Sequence, residues 1–320
     1  SPPVSLFALG WVAVYLYAVA AGALCYSFHE RPPRFALGLG ALLVAGAFAG
    51  GLGDDILVAE RSFFGVSQVQ ETENGFRLLW HGATIYGAQE LGPGRPEPKT
   101  YYARRGPVGQ VFGALRAETA ALAVGVVGLG PGAAACYRRQ GDSWRFYEID
   151  PAVVAIARDR RYFTYLSACA PEVGIVLGDA RLTLATAPDG GFDLLLLDAF
   201  TSDVVPLHLL TREAFQLYLA KLAPDGLILV NISNGHFALE PVLAALGREA
   251  GLEMLSQRYR PRAPAAAKRF EFGSDWVLLA RDEARLTAFT SSGRWRPLVA
   301  EAGLRAWTDD WADVLGVIRW

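Results

Sequence analysis

The sequence predicts an α/β protein: a doubly wound, seven-stranded, mostly parallel sheet, with an antiparallel β-unit before it and a transmembrane helical hairpin at the start. Three observations predict it. Across residues 121–233, short apolar runs alternate with amphipathic segments and tight turns, which is the pattern of parallel βαβ units. Two later runs, residues 254–260 and 275–281, read as an antiparallel pair that closes the sheet. Two uncharged stretches, residues 4–28 and 35–53, open the chain and are long enough to cross a bilayer. The chain then divides into residues 1–54 (hairpin), 55–105 (β-unit) and 106–320 (α/β domain).

Each element has its own signal. The polar turn "HERPPR" separates the two uncharged stretches. A signal peptide would need a basic start and a shorter apolar core, so a membrane hairpin is the reading, with a buried helical hairpin as the alternative. The second stretch is rich in Gly and Ala and is the weaker inserter. The chain begins with Ser, which is compatible with the hairpin being the end of a larger membrane domain. Residues 56–89 are rich in Val, Phe, Tyr and Thr and are punctuated at Gly65, "ENG" and Gly82, as an antiparallel β-unit would be. "ELGPGRPEP" is a loop, and a helix follows over residues 108–116.

The strands of the sheet come next. "ALAVGVVGLG" is the first and "SWRFYEID" the second, followed by the helix "PAVVAIARDRR" with Pro in its first turn. "VGIVLGD" is the third strand and "FDLLLLD" the fourth. "TREAFQLYLAKL" is an amphipathic helix with Thr211 as its N-cap, and "GLILVNIS" is the fifth strand. "PRAPAAAKR" reads as a solvated basic loop.

Composition narrows the function. Net charge is −2, so no global basic field calls for nucleic acid. The hydrophobic share of 52% is what directs attention to membrane segments. The three cysteines, Cys25, Cys136 and Cys169, form no CxxC pair, so neither a disulfide framework nor a zinc site is expected. His29, His81, His208 and His236 show no metal-ligand spacing, and no metal is expected.

In a doubly wound sheet, ligands bind at the carboxyl ends of the strands. Strand one ends in "GLGPG", with Gly128, Gly130 and Gly132; glycines there let the backbone approach a ligand, although a tight strand-to-helix turn gives the same string. Strand two ends in "YEID". Glu148, 16 residues past Gly132, is placed to hold the two hydroxyls of a ribose, whereas Asp150 before Pro151 is explained as a helix cap. Strand three ends in "GDAR", where Asp179 is either a helix N-cap or the acceptor for an adenine amino group. Strand four ends in Asp198, and Asp203 follows in a polar turn. A dinucleotide needs room for an anionic second half at the ends of strands three and four, where Asp179 and Asp198 stand, whereas a cationic sulfonium is stabilised by carboxylates.

Residues 121–233 resemble the nucleoside-binding core of class I S-adenosylmethionine-dependent transferases. Within these the chain most resembles the spermidine synthase (aminopropyltransferase) family, in its membrane-fused branch. The strings that carry the resemblance are "VVGLGPG", "YEIDPAVVAIA", "GDAR", "LLLLDAFTSDVVPLHLLTREAF" and "LAPDGLILVNIS", with "ERSFFGVSQV" and "HGATIYGAQ" upstream and "WTDDWADVLGVI" at the end. It covers roughly residues 57–318. The resemblance implies that Asp198 is the catalytic acid of an Asp-rich turn with Asp203 its second carboxylate. It also implies that Tyr102 contacts substrate and that Glu60 stands near the cofactor, where the family usually has Gln. Gln89 joins the cofactor-binding set on its acceptor side. Two positions depart from the family. Pro131 stands where an Asp usually holds the amine of decarboxylated S-adenosylmethionine, and Ala103 stands where a Gln usually follows the substrate Tyr.

The resemblance therefore implies aminopropyl transfer from decarboxylated S-adenosylmethionine to a polyamine or other amine, by a homodimer. Methyl transfer from intact S-adenosylmethionine and a non-catalytic polyamine or nucleoside sensor are the alternatives. The hairpin implies a lipid bilayer as partner. Arg31 and Arg34 favour a cytoplasmic hairpin loop, but an S-adenosyl substrate is cytoplasmic, so the expected arrangement is an integral membrane protein with its catalytic domain facing the cytoplasm. His208, Asp309 and Asp310 are secondary candidates; packing or capping explains His208 better than a site role, and capping explains the acid pair at least as well.

Overall fold

The structure is a computed structural model that describes residues 19–51, 56–200, 206–262, 264–301 and 303–319. The chain falls into two units that meet between residues 55 and 56.

In the first unit, residues 19–26 are helical, residues 27–30 turn, and helix α1 runs Pro32–Gly51. Both prolines of "HERPPR" sit in the first turn of α1, where a missing N–H costs nothing. Cys25 packs against α1, with its Sγ 3.8 Å from the Phe35 carbonyl oxygen. The expected membrane hairpin is corrected here: among the described residues, no helix is long and apolar enough to cross a membrane. Half of the twenty residues of α1 are Gly or Ala, which bury little apolar area. The expected membrane location is corrected on that finding, which concerns the described residues. Residues 1–18 of the first expected span lie outside the described residues.

The second unit begins with four antiparallel strands in sequential order, β1 (Ile56–Ser62), β2 (Gly65–Glu71), β3 (Phe76–His81) and β4 (Thr84–Glu90). Val69 and Leu79 from this sheet pack on Ile156 and Phe163, which fixes the β-unit against the larger domain. Helix α2 (Pro107–Glu118) leads into the main sheet: β5 (Ala123–Val127), β6 (Ser143–Glu148), β7 (Gly174–Leu177), β8 (Phe192–Leu197), β9 (Leu222–Asn231), β10 (Glu253–Tyr259), β11 (Ser274–Ala280) and β12 (Arg296–Pro297). The helices between them include α3 (Pro151–Arg158), α4 (Tyr165–Cys169), α5 (Ala180–Leu184), α6 (Arg212–Lys221) and α7 (Leu239–Glu249).

The sheet order is β12-β10-β11-β9-β8-β5-β6-β7. The five strands from β9 to β7 are parallel, and β11, β10 and β12 are antiparallel to their neighbours. The sheet thus has eight strands, not seven. The extra strand, β12, is two residues on the outer edge of β10, too short to show any periodicity. The strands are continuously apolar because both faces are covered. Leu194 and Leu196 enter the core on one face with Val108, Val111 and Phe112 of α2. Leu195 and Leu197 enter the core on the other with Phe215 of α6 and Leu243 of α7. Of the segment "PRAPAAAKR", Ala265–Arg269 is a short helix rather than loop.

The expectation of no disulfide is also corrected. Cys136 and Cys169 are joined, their Cα atoms 4.8 Å apart, because α4 packs on the 3-10 turn Ala133–Tyr137 that follows the glycine loop.

Candidate active site

The chain leaves β5 toward β6 and β7, then returns to the other side of β5 with β8. Neighbouring strands that depart in opposite directions open a crevice at their carboxyl ends. Gly128 and Asp198 flank that crevice. Asp198 N–H donates to the Val127 carbonyl at 2.8 Å, and Gly128 N–H donates to the Tyr147 carbonyl at 2.9 Å. A Cβ on Gly128 would lie 2.2 Å from the Asp198 carbonyl oxygen, and its φ of +95° is one that side-chain-bearing residues avoid. Only Gly lets the first and fourth strands meet here.

Asp198 is held through both of its carboxylate oxygens. Tyr102 O–H donates to Oδ2, and Asn231 Nδ2 donates to Oδ1 at 2.7 Å. Asn231 is in turn oriented by Ser233, whose N–H and Oγ–H both donate to its Oδ1, at 2.9 and 2.5 Å. Burial pushes the Asp198 carboxyl up to about 6, against the opposing pull of the Tyr102 and Asn231 hydrogen bonds. Burial, then the charge of Asp198, holds the Tyr102 phenol well above its ordinary range, so it stays a donor. Tyr102 is placed by Tyr137, whose O–H donates to its carbonyl at 2.6 Å.

Glu148 closes the other side. Its Oε2 accepts from Leu129 N–H and its Oε1 from Asp150 N–H, both at 2.9 Å, so it fixes the glycine loop while facing the cavity. Burial raises its carboxyl, opposed by those backbone donors. Asp179 serves as the N-cap of α5: Oδ1 accepts from Arg181 N–H at 2.9 Å and Leu182 N–H at 3.1 Å. Its Oδ2 remains toward the cavity mouth, 2.9 Å from His208 Nε2. Asp150 caps α3 and also accepts from Ser62 Oγ of the β-unit at 2.7 Å.

One cavity thus brings together Tyr102, Gly128, Gly130, Glu148, Asp179, Asp198 and His208. No Lys or Arg lines it among the described residues. Three expected residues are elsewhere. Gly132 bends the loop into the 3-10 turn and does not line the cavity. Glu60 is exposed on β1, because its strand is the outer edge of the β-unit. Gln89 is buried and spent on Thr164, donating to Oγ1 and accepting from its N–H, each at 2.8 Å. Asp203 lies outside the described residues. Asp309 binds Arg181 through two contacts of 2.6 Å, which explains it as a structural tie. Asn231 and Ser233 are the residues that reading the sequence missed. Their signal was a polar pair ending the fifth apolar strand, the same position that singled out Asp198 on the fourth.

No protein-family model matches the chain. A polyamine aminopropyltransferase of Vibrio vulnificus is 36% identical over 86 residues, which is 26% of this chain and 27% of that protein. The match therefore spans about a quarter of that curated relative. A probable spermidine synthase of Corynebacterium glutamicum superposes with a TM-score of 0.57 at 17% identity, covering 81% of this chain and 98% of that one. Spermidine synthase of Thermotoga maritima superposes with a TM-score of 0.51 at 11% identity, covering 77% and 81%. The chain has the fold of the spermidine synthases and, over part of its length, the sequence of a polyamine aminopropyltransferase as its likeness.

Proposed function

We propose that the chain transfers an aminopropyl group from decarboxylated S-adenosylmethionine to a polyamine and releases methylthioadenosine. The observation that carries this reading is a cavity lined by three carboxylates, Glu148, Asp179 and Asp198, and by no Lys or Arg among the described residues. Such a lining favours cations, and both the sulfonium donor and a polyamine acceptor are cations. The relative from Vibrio vulnificus bears the corresponding name.

The residues fit the co-substrate's parts. In this reading Glu148 holds the ribose hydroxyls and Asp179 the adenine amino group, while Gly128 and Gly130 allow close backbone approach. In the transfer, the amine lone pair bonds to the carbon beside the sulfonium, and the carbon–sulfur bond breaks with its electrons going to sulfur. The amine must first be deprotonated, since free alkyl amines titrate at about 10.4, as Lys does. Asp198, ionised above about pH 6, accepts that proton, while Tyr102 holds its other face. Positioning of two bound reactants supplies much of the remaining rate.

Methyl transfer from intact S-adenosylmethionine is a second reading, favoured by Pro131. Its ring packs against Gly87, where an added Cβ would come 2.4 Å from Pro131 Cγ, so no carboxylate is offered from that loop position to a donor amine. Chromatography of the nucleoside product separates the two. Methylthioadenosine from decarboxylated donor and putrescine supports aminopropyl transfer. S-adenosylhomocysteine from intact donor supports methyl transfer. Neither product overturns both.

A further inference from the structure

We propose that a second cleft, away from the cavity, binds a phosphate-bearing anion. It has a volume of about 560 Å³ and lies between the loop before α2, the end of β10 and Arg294. Arg104 and Arg105 come from the loop, Arg258 and Arg260 from the end of β10. No Asp or Glu lines the cleft, and it shares no lining residue with the carboxylate cavity.

Three of the five guanidinium groups are compensated by acids that do not line the cleft. Arg104 pairs with Glu97 at 2.7 Å, Arg258 with Glu240 at 2.6 Å, and Arg260 with both oxygens of Asp275 at 2.5 and 3.0 Å. Arg105 and Arg294 form no salt bridge among the described residues, although both are close enough to Tyr259 to influence its phenol. Glu271, whose carboxyl feels the charge of Arg105, is held by Arg269 at 2.8 and 2.9 Å and does not line the cleft. The cleft therefore holds two guanidinium groups, those of Arg105 and Arg294, that form no salt bridge among the described residues.

A second observation points to a ligand. Gln257 is only 4% exposed and lines the cleft, yet its Oε1 is buried without a hydrogen-bond partner among the described residues. Buried side-chain polar atoms rarely stay unpaired, and a terminal amide's orientation is set by the partner it meets. With its amide turned so that Nε2 faces the cleft, Gln257 becomes a donor beside planar guanidinium forks from separate segments, a set that matches the tetrahedral, multiply charged oxygens of a phosphate or diphosphate.

This inference does not depend on the transfer reaction, and its test reads binding alone. Inorganic pyrophosphate is titrated into the full chain by calorimetry at fixed ionic strength, with parallel sedimentation of phosphatidylcholine vesicles with and without phosphatidic acid. Saturable pyrophosphate binding is expected. The double variant Arg105→Gln, Arg294→Gln is expected to weaken it at least about tenfold, since both uncompensated donors are lost, while the thermal melt stays unchanged. Binding only to phosphatidic acid vesicles, lost in the same variant, assigns the phosphate to a lipid headgroup. Failure to bind either probe, or equal binding by the double variant, overturns the proposal.

Discussion

At the scale of the residue, the site turns on the acid that ends β8. Asp198 is held between a phenol and an amide, and its carboxyl is pushed up to about 6. The sign follows directly: a proton acceptor must be ionised, so lowering the pH through about 6 removes the acceptor. The value of kcat/KM is expected to fall with an apparent pKa near that value on the acid side, read from a pH–rate profile. Asp198→Asn should lower turnover by roughly 10²–10⁴-fold, the range for a positioned acid–base group. It should leave methylthioadenosine binding intact, because Glu148 and Asp179 are untouched. Full activity in that variant would remove Asp198 from the chemistry. Asn231 acts through Asp198, so Asn231→Ala should shift the acid limb of the profile upward while altering nucleoside affinity little. Removing a hydrogen bond that favours the charged form raises the pKa. An unmoved acid limb would make Asn231 merely structural.

At the scale of the element, the sheet is held in register by a buried ion pair outside the cavity. Arg116, in the last turn of α2, donates to both oxygens of Asp142, which also accepts from Leu122 N–H at 2.9 Å, Arg139 N–H at 2.8 Å and Trp144 Nε1 at 3.2 Å. One carboxylate therefore ties α2, the start of β5 and the turn into β6. Burial alone would raise its carboxyl, but Arg116 and the backbone donors outweigh it and hold the group below its ordinary value. A lowered carboxyl contributes stability above the unfolded value of about 3.9, and that stability is lost as pH falls through the folded value. Asp142→Ala leaves the Arg116 charge and two backbone donors unpaired in the interior. A loss of about 3–5 kcal/mol is expected, checked by denaturant unfolding of parent and variant side by side. A cost under about 1 kcal/mol would place the pair among the weak surface bridges. Gly128→Ala, in contrast, should damage the site through geometry, because its Cβ would displace the Asp198 carbonyl at 2.2 Å. Weakened nucleoside binding in that variant, by calorimetry, is the check.

At the scale of the whole molecule, what the sequence disclosed follows what each signal physically encodes. Strands buried on both faces must be apolar throughout, so "FDLLLLD" and "GLILVNIS" were legible as strands, and the acid ending the first of them stood out against that background. Contacts between distant segments leave no such mark. Cys136 and Cys169 stand 33 residues apart with no spacing motif, and Gln89 meets Thr164 across 75 residues. Position in a string placed Glu60 near the cavity, whereas the strand order leaves it on an exposed edge. An uncharged opening stretch promised a membrane hairpin, yet absence of charge is not sufficient when half of a helix is Gly and Ala. The division between residues 55 and 56 carries the last prediction. Both cores that cover the sheet, and the contacts of Val69 and Leu79 that seat the β-unit on α3, draw only on residues after that boundary. Every described residue lining the carboxylate cavity also lies beyond it. A chain of residues 56–320 is therefore expected to unfold in one cooperative transition and to bind methylthioadenosine within about twofold of the full chain, a difference of only about 0.4 kcal/mol. Loss of the cooperative transition would show that the first unit completes the core of the second. A cooperative fold with binding lost would show that the first unit supplies part of the site.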